Sequence, residues 1–400
     1  DSSSAGGEDR ALGDPDADGI SNIEEHRNCD RPVGCTHPRG FGQDTRYLAE
    51  GATSAFFDTR LAILNPGDEA ANVLLRFQLA DGTVHTHYVA VPGRARRTVD
   101  VGGDVDAMEQ AEFSTVLESD QPVVVDRTMS WDRSGYGSHA ETGLLAPATT
   151  WYLAEGATHS GFDLFYLLQN PASAPTTVRV RYLRPDGAPL EKLYELPPQS
   201  RTNIWVDHEE FADLGAALAD TDVSAVITST DGTPIIVERA MYLTGQGRFF
   251  NAGHESAGVT APATRWLLAE GATGPFFDLF VLLANPDDRS AEARVTYLLP
   301  DGTTYARALT VAPNSRRTVW VDYDTPEGTT GLPLADTAVS TTVEVTNGVP
   351  IIVERAMWWP GPTPATWAEA HNSSGATEAG TVWALAEGEV SPLTETYILI

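Results

Sequence analysis

Apolar and polar residues alternate with a period of two over short runs, and each run is closed by a turn signal. Residues 151–262 show this best. Position 151–155 is extended, and 162–169 (FDLFYLLQ) is an apolar run stopped by Asn170-Pro171, where the proline has no ladder donor. Residues 177–183 (TVRVRYL) alternate strictly and end at Pro185-Asp186-Gly187, a turn signal. Runs at 190–196, 202–206, 223–229 and 235–241 complete seven predicted strands, with a short turn expected around 208–217. Helical periodicity is absent from these runs. The pattern predicts an all-β fold of antiparallel β-sandwiches, with a β-propeller of two blades per unit as the alternative.

The pattern recurs. The string LAEG recurs four times, and its glutamates, Glu50, Glu155, Glu270 and Glu387, are 105, 115 and 117 residues apart. Eight residues after each glutamate stands an acid (Asp58, Asp163, Asp278, Glu395). Asn65-Pro66, Asn170-Pro171 and Asn285-Pro286 follow at the fifteenth place, Asp-Gly at the thirty-first, and Arg96, Arg201 and Arg316 at the forty-sixth. The later half of each unit carries QPVVVDRTM, TPIIVERAM or VPIIVERAM, holding Arg127, Arg239 and Arg355. His139, His254 and His371 each lie 16 residues before the next LAEG glutamate. The expected organisation is an N-terminal segment (1–43), three sandwich units (44–147, 148–262, 263–379) and the first two strands of a fourth (380–400). The chain is therefore expected to continue beyond Ile400. The alternative is that Tyr397, Ile398, Leu399 and Ile400 add as a strand to another molecule.

Within 235–241, alternation places Ile235, Val237, Arg239 and Met241 on one face, and the same holds around Arg127 and Arg355. An arginine among core residues needs a partner. Glu155 shares a face with Trp151 and Leu153, so each LAEG glutamate (Glu50, Glu155, Glu270) is expected to pair with an arginine (Arg127, Arg239, Arg355), with His139, His254 or His371 close by. Whether the pair forms within a unit or across a junction is left open. Three equivalent copies favour architecture over a Glu/His acid–base site.

Charge narrows the function. The 400 residues carry 56 Asp and Glu against 26 Lys and Arg, a net charge of -30 with a pI near 4.5. Such a surface repels nucleic acid and anionic membranes and attracts divalent cations. No stretch approaches about 20 apolar residues, so membrane insertion is not expected.

Residues 14–25, DPDADGISNIEE, place Asp14, Asp16 and Asp18 at alternate positions. Gly19 follows for the sharp turn, then the Ile20 carbonyl, Asn22 and Glu25. This donor spacing suits calcium, the one cofactor expected. The stretch resembles the calcium loops of thrombospondin type 3 repeats, dockerins and EF-hands, and its wording is most similar to the thrombospondin type 3 repeats of bacterial secreted proteins. Cys29 and Cys35, the only cysteines, fall in one loop and are expected to form a disulfide. Free thiols, or zinc with His26 and His37, are the lesser readings. Asp1 and the disulfide together suggest a secreted chain with a processed terminus.

In strand count and unit length the repeats resemble immunoglobulin-like or fibronectin type III-like modules of bacterial surface proteins. The buried disulfide–tryptophan pair of true immunoglobulin domains is missing. Repetition, the lack of catalytic motifs, acidity and the calcium-plus-disulfide staple together lead to the expectation of a non-catalytic extracellular stalk, matrix or filament protein that self-associates or binds other surface proteins. A polysaccharide-binding region of a secreted hydrolase is the alternative, with Trp358, Trp359, Trp367 and Tyr136 as sugar-stacking aromatics. An enzyme using Glu, Arg and His of one unit is a lesser one. His208-Glu209-Glu210 lacks the second histidine of a zinc-protease helix, and Ser138-His139 belongs to the repeat rather than to a triad.

Overall fold

The computed structural model describes residues 44–132, 137–386, 388, 390 and 396–400. The calcium-loop residues Asp14, Asp16, Asp18, Ile20, Asn22 and Glu25, together with Cys29, Cys35 and Tyr136, lie outside the described residues.

Three sandwiches follow one another. The first holds β1 (Asp44–Leu48), β2 (Ala52–Thr53), β3 (Phe57–Asn65), β4 (Ala71–Leu79), β5 (Val84–Val91), β6 (Ala95–Asp100), β7 (Ala111–Ser119), β8 (Val124–Trp131) and β9 (Gly137–Thr142). The second holds β10 (Thr150–Leu153), β11 (Phe162–Asn170), β12 (Thr176–Leu183), β13 (Leu190–Leu196), β14 (Ser200–Trp205), β15 (Ser224–Ser229), β16 (Ile236–Gly245) and β17 (Arg248–Ala257). The third holds β18 (Arg265–Leu268), β19 (Asp278–Asn285), β20 (Ala291–Leu298), β21 (Thr304–Val311), β22 (Ser315–Trp320), β23 (Ser340–Val345), β24 (Ile352–Trp359) and β25 (Glu369–Ser374).

Each unit has two antiparallel sheets. In the second they run β10-β15-β12-β13 and β14-β11-β16-β17, and the other units repeat this order, with the short β2 also pairing with β7. In the third unit, residues of both sheets (Val295, Tyr297 and Val343 on one, Leu279, Val281 and Val353 on the other) enclose one core, so the units are sandwiches and not propeller blades. Seven of the eight strands in the second unit coincide with the alternating runs. The eighth, β17, was not expected. It returns from β16 through Gln246 and Gly247, both at positive φ (52° and 75°), a two-residue hairpin turn.

The Asn-Pro motif does more than end a strand. Asn170 Nδ2 donates to the carbonyls of Ala174 (2.8 Å), Leu196 (3.3 Å) and Pro197 (2.9 Å), and its Oδ1 accepts from the Ala172 amide (3.1 Å). Asn285 makes all four bonds at its equivalents, and Asn65 makes three of them, to the Glu69 and Val91 carbonyls and from the Gly67 amide. The side chain is fully buried and ties two loops together. Asn170→Ala strands these carbonyls, so unfolding of the purified chain in denaturant is expected to show a loss of about 2–3 kcal/mol. A loss under about 0.5 kcal/mol would show that the pin is dispensable.

Candidate functional site

The repeated charges come together where units meet. Successive residues of β24 face opposite ways, which splits the IVER segment between two tasks. Val353 and Met357 belong to the third unit's own core, while Ile352, Ala356 and Trp358 belong to a core continuous with the second unit. Arg355 therefore points into its own sandwich and Glu354 points toward the preceding unit.

At the junction of units 2 and 3, Glu354 accepts from the backbone amides of Ala154 (2.7 Å) and Glu155 (3.1 Å), inside the LAEG of unit 2. Arg239 Nη1 donates to Glu354 (2.6 Å) and to the Glu155 carbonyl (3.0 Å). Its other nitrogen meets the Asn372 side-chain oxygen (2.7 Å) and lies 3.8 Å from the Glu155 carboxylate. Asn372 also donates to Glu155, and His254 Nε2 is 3.2 Å from that carboxylate. From unit 3, Arg316 donates to the Gly156 carbonyl. Gly156 has no room for a side chain, because a Cβ there would lie 2.4 Å from the Val223 carbonyl oxygen.

The junction of units 1 and 2 repeats this code. Glu238 accepts from the Glu50 amide (2.8 Å) and from Arg127 (2.7 Å), Arg127 donates to the Glu50 carbonyl (2.8 Å), and Arg201 donates to the Gly51 carbonyl. Each arginine pairs with its own LAEG glutamate and, more closely, with the acid of the next unit: Arg127 is 3.5 Å from Glu50 against 2.7 Å from Glu238. The expected pairing thus spans both unit and junction.

The two junctions differ in the side chain that follows the repeated histidine. Glu255 stands where Asn372 stands, and lies 2.7 Å from Arg127. Three carboxylates (Glu50, Glu238, Glu255) thus surround one guanidinium, all buried. Burial pushes the Glu50 carboxyl up to about 7, against the pull of Arg127, and pushes Glu255 well above the carboxylate range. Burial also works to raise Glu155, but His254, Arg239 and Arg316 outweigh it and hold that group below its ordinary value. His139, buried beside Arg127, is pushed well below its ordinary value and so stays neutral at pH 7.

Glu50, His139 and Glu255 offer three ligand atoms within 4.8 Å of one another, a set that would suit a cation. Arg127 already places positive charge against both carboxylates. The arrangement is a buried ion network rather than a cleft open to a substrate.

The third LAEG differs. Glu270 meets Arg355 of its own unit (2.5 Å), and His371 Nδ1 lies 3.9 Å away. The Glu270 side chain is 37% exposed against 4% for Glu50 and 6% for Glu155, and His371 is 45% exposed against 2% for His139 and 1% for His254.

The aromatics proposed to stack on sugars are corrected by the structure. Trp358 and Trp367 are buried, stacked on each other at 5.2 Å in the junction core, and Trp359 is half-buried. The area of Trp358 and Trp367 serves packing, so these two are not open to a sugar. Tyr397, Ile398, Leu399 and Ile400 are exposed and lie outside every sheet of this chain. His208 and Glu209 bound a short 3-10 turn, with Glu209 paired to Lys192.

No family model matches the chain, and no curated protein matches it. Among solved structures, Thermotoga maritima 1070 is similar at 17% identity over 30% of this chain and 98% of its own, with a TM-score of 0.23. The Anabaena sensory rhodopsin transducer is similar at 25% identity over 21% of this chain and 85% of its own, with a TM-score of 0.19. A tetra-tandem repeat from the extending region of a large adhesion protein aligns at 8% identity over 82% and 75%, with a TM-score of 0.13.

Proposed function

We propose that this protein is a non-catalytic structural repeat protein of the cell exterior, a rigid block of immunoglobulin-like sandwiches that serves adhesion or matrix assembly. A calcium loop at Asp14–Glu25 and a Cys29–Cys35 disulfide staple its N-terminus. One observation supports this reading above the rest: the buried acids and arginines repeat the same inter-unit contact at successive junctions, so the titrating groups that an active site would use are engaged in assembly. The acidic surface and the aspartate-rich loop fit an environment where calcium is abundant.

The test is calorimetric. Calcium titrated into the purified, chelator-treated chain should bind with one site and raise the unfolding temperature, and Asp16→Ala should abolish both effects. The same chain should leave a panel of glycoside, ester and peptide substrates unturned. Turnover that disappears in Glu155→Gln while the unfolding transition persists would overturn the structural reading. Absence of calcium binding would remove the staple alone.

A further inference from the structure

The junction code has a direction. The LAEG of unit 1 is held by the acid and arginine of unit 2 (Glu238, Arg201), and the LAEG of unit 2 by those of unit 3 (Glu354, Arg316). Unit 1 has the same two groups, Asp126 and Arg96, and no unit precedes it among the described residues. Both are nevertheless engaged. The amide of Ala386 donates to Asp126 (2.8 Å), and Arg96 reaches the carbonyl of Gly388 at 3.5 Å. Ala386 and Gly388 belong to the fourth LAEG. Ala386 is 5% exposed, close to Ala49 and Ala154 at 0%.

The fourth LAEG therefore sits on unit 1 as the first sits on unit 2. Three links of a cycle are present: 1 on 2, 2 on 3, and 4 on 1. The missing link is 3 on 4, and that is where the structure is open. Ala269, the counterpart of Ala49 and Ala154, is exposed. Among the described residues no carboxylate reaches the amides of Ala269 and Glu270, and no arginine reaches the Gly271 carbonyl. Glu270 and His371 are the half-exposed members of their sets for the same reason.

The strands that carry the repeated histidines also meet one another. The strand β17 lies between β9 and β25, and these three carry the repeated histidines. A cavity of about 1010 Å³ is lined by the three equivalent linkers, through Leu144, Val259 and Ala376, and by Trp151, Trp266 and Trp383, the same position of units 2, 3 and 4.

We propose that the face of unit 3 around Ala269, Glu270 and His371 is the docking seat for a fourth sandwich of the same repeat, the unit that opens with residues 383–388, and that it closes a ring of four. The occupant must bring an acid–arginine strand of the IVER type for the two amides, and an arginine at the forty-sixth place for the Gly271 carbonyl. This goes beyond the structural reading above and does not depend on calcium or on location.

The test completes the fourth unit in place of residues 389–400. Residues 157–262, the body of unit 2, are placed directly after Gly388, where they continue in register. Hydrogen exchange read on peptides covering 265–272 is expected to slow at least 100-fold toward that of 150–157. Glu238→Gln in the added copy alone should reverse the slowing. Unchanged exchange at 265–272, with the added strands themselves protected, would overturn the proposal.

A second arm uses the unaltered chain and stands even if the added unit fails to fold. Asp126→Asn with Arg96→Ala should speed exchange at residues 383–388 at least tenfold. Exchange there that is already as fast as in a free peptide, or that does not respond to the pair of substitutions, would also overturn it. Sedimentation of the unaltered chain should give a monomer. A dimer that protects 265–272 would assign the seat to a second copy and overturn the fourth unit as its occupant.

Discussion

Arg239→Met is expected to destabilise the chain by about 3–5 kcal/mol, because it leaves Glu155 and Glu354 buried without their cation. Calorimetry should show the main transition falling by roughly 10 °C. Methionine keeps most of the volume, so the loss reports charge rather than a cavity. Arg289→Met is the control. That arginine is 64% exposed on Asp287, and a surface pair contributes under about 1 kcal/mol. Adding Glu354→Gln to Arg239→Met should recover part of the loss, since one of the two orphaned charges is removed while the glutamine oxygen still accepts from one of the amides of Ala154 and Glu155, which the two carboxylate oxygens accept separately. Equal, small losses at Arg239 and Arg289 would mean that the junction network carries little of the stability, and with it would go the argument that these charges are architectural.

The sequence showed the repeat, its register and the LAEG glutamates, arginines and histidines of the network, because all of these are periodic. Alternation alone put Arg239 on a core-facing side and so demanded a partner. The same alternation carries a second consequence that a search for the arginine's partner passes over. Glu238 and Glu354, one residue earlier, must face the other way, and a charged residue there is buried only if another unit covers it. Which neighbour covers it depends on how sandwiches stack, and that is set by whole surfaces rather than by a local pattern. Arg201 and Arg316 were visible as markers but without a role, since their partners are backbone carbonyls, which every residue has. The strand β17 was missed for a similar reason. Its run RFFNAGHESA mixes polar and apolar residues without a clean period, because it packs against neighbouring units on more than one side.

The two complete junctions are expected to respond to pH in opposite directions. Glu155 is held below its ordinary pKa, so it contributes stability above about 4.5 that is lost as the pH falls. Glu50 and Glu255 are raised, and the folded state then holds their protons more tightly than the unfolded chain does. That contribution is fully present below 4.5 and is lost as the pH rises through about 7 for Glu50, and through the raised value of Glu255. For Glu50 the shift from 4.5 to about 7 corresponds to about 3 kcal/mol. The 1–2 junction should therefore loosen between pH 5 and 8 while the 2–3 junction holds. The chain itself suggests the remedy, because unit 3 has Asn372 where unit 2 has Glu255. Glu255→Asn should restore about 2–3 kcal/mol at pH 8 and change little at pH 5, where the glutamate is already neutral. Denaturant unfolding at both pH values reads the total. Amide exchange at Glu50 and Glu155 reads each junction separately, since both amides donate to the acid of the next unit. A gain of equal size at pH 5 and pH 8 would show that packing, rather than the surplus buried charge around Arg127, sets the difference between the two junctions. A loss at pH 8 would show that Arg127 needs all three of its carboxylates.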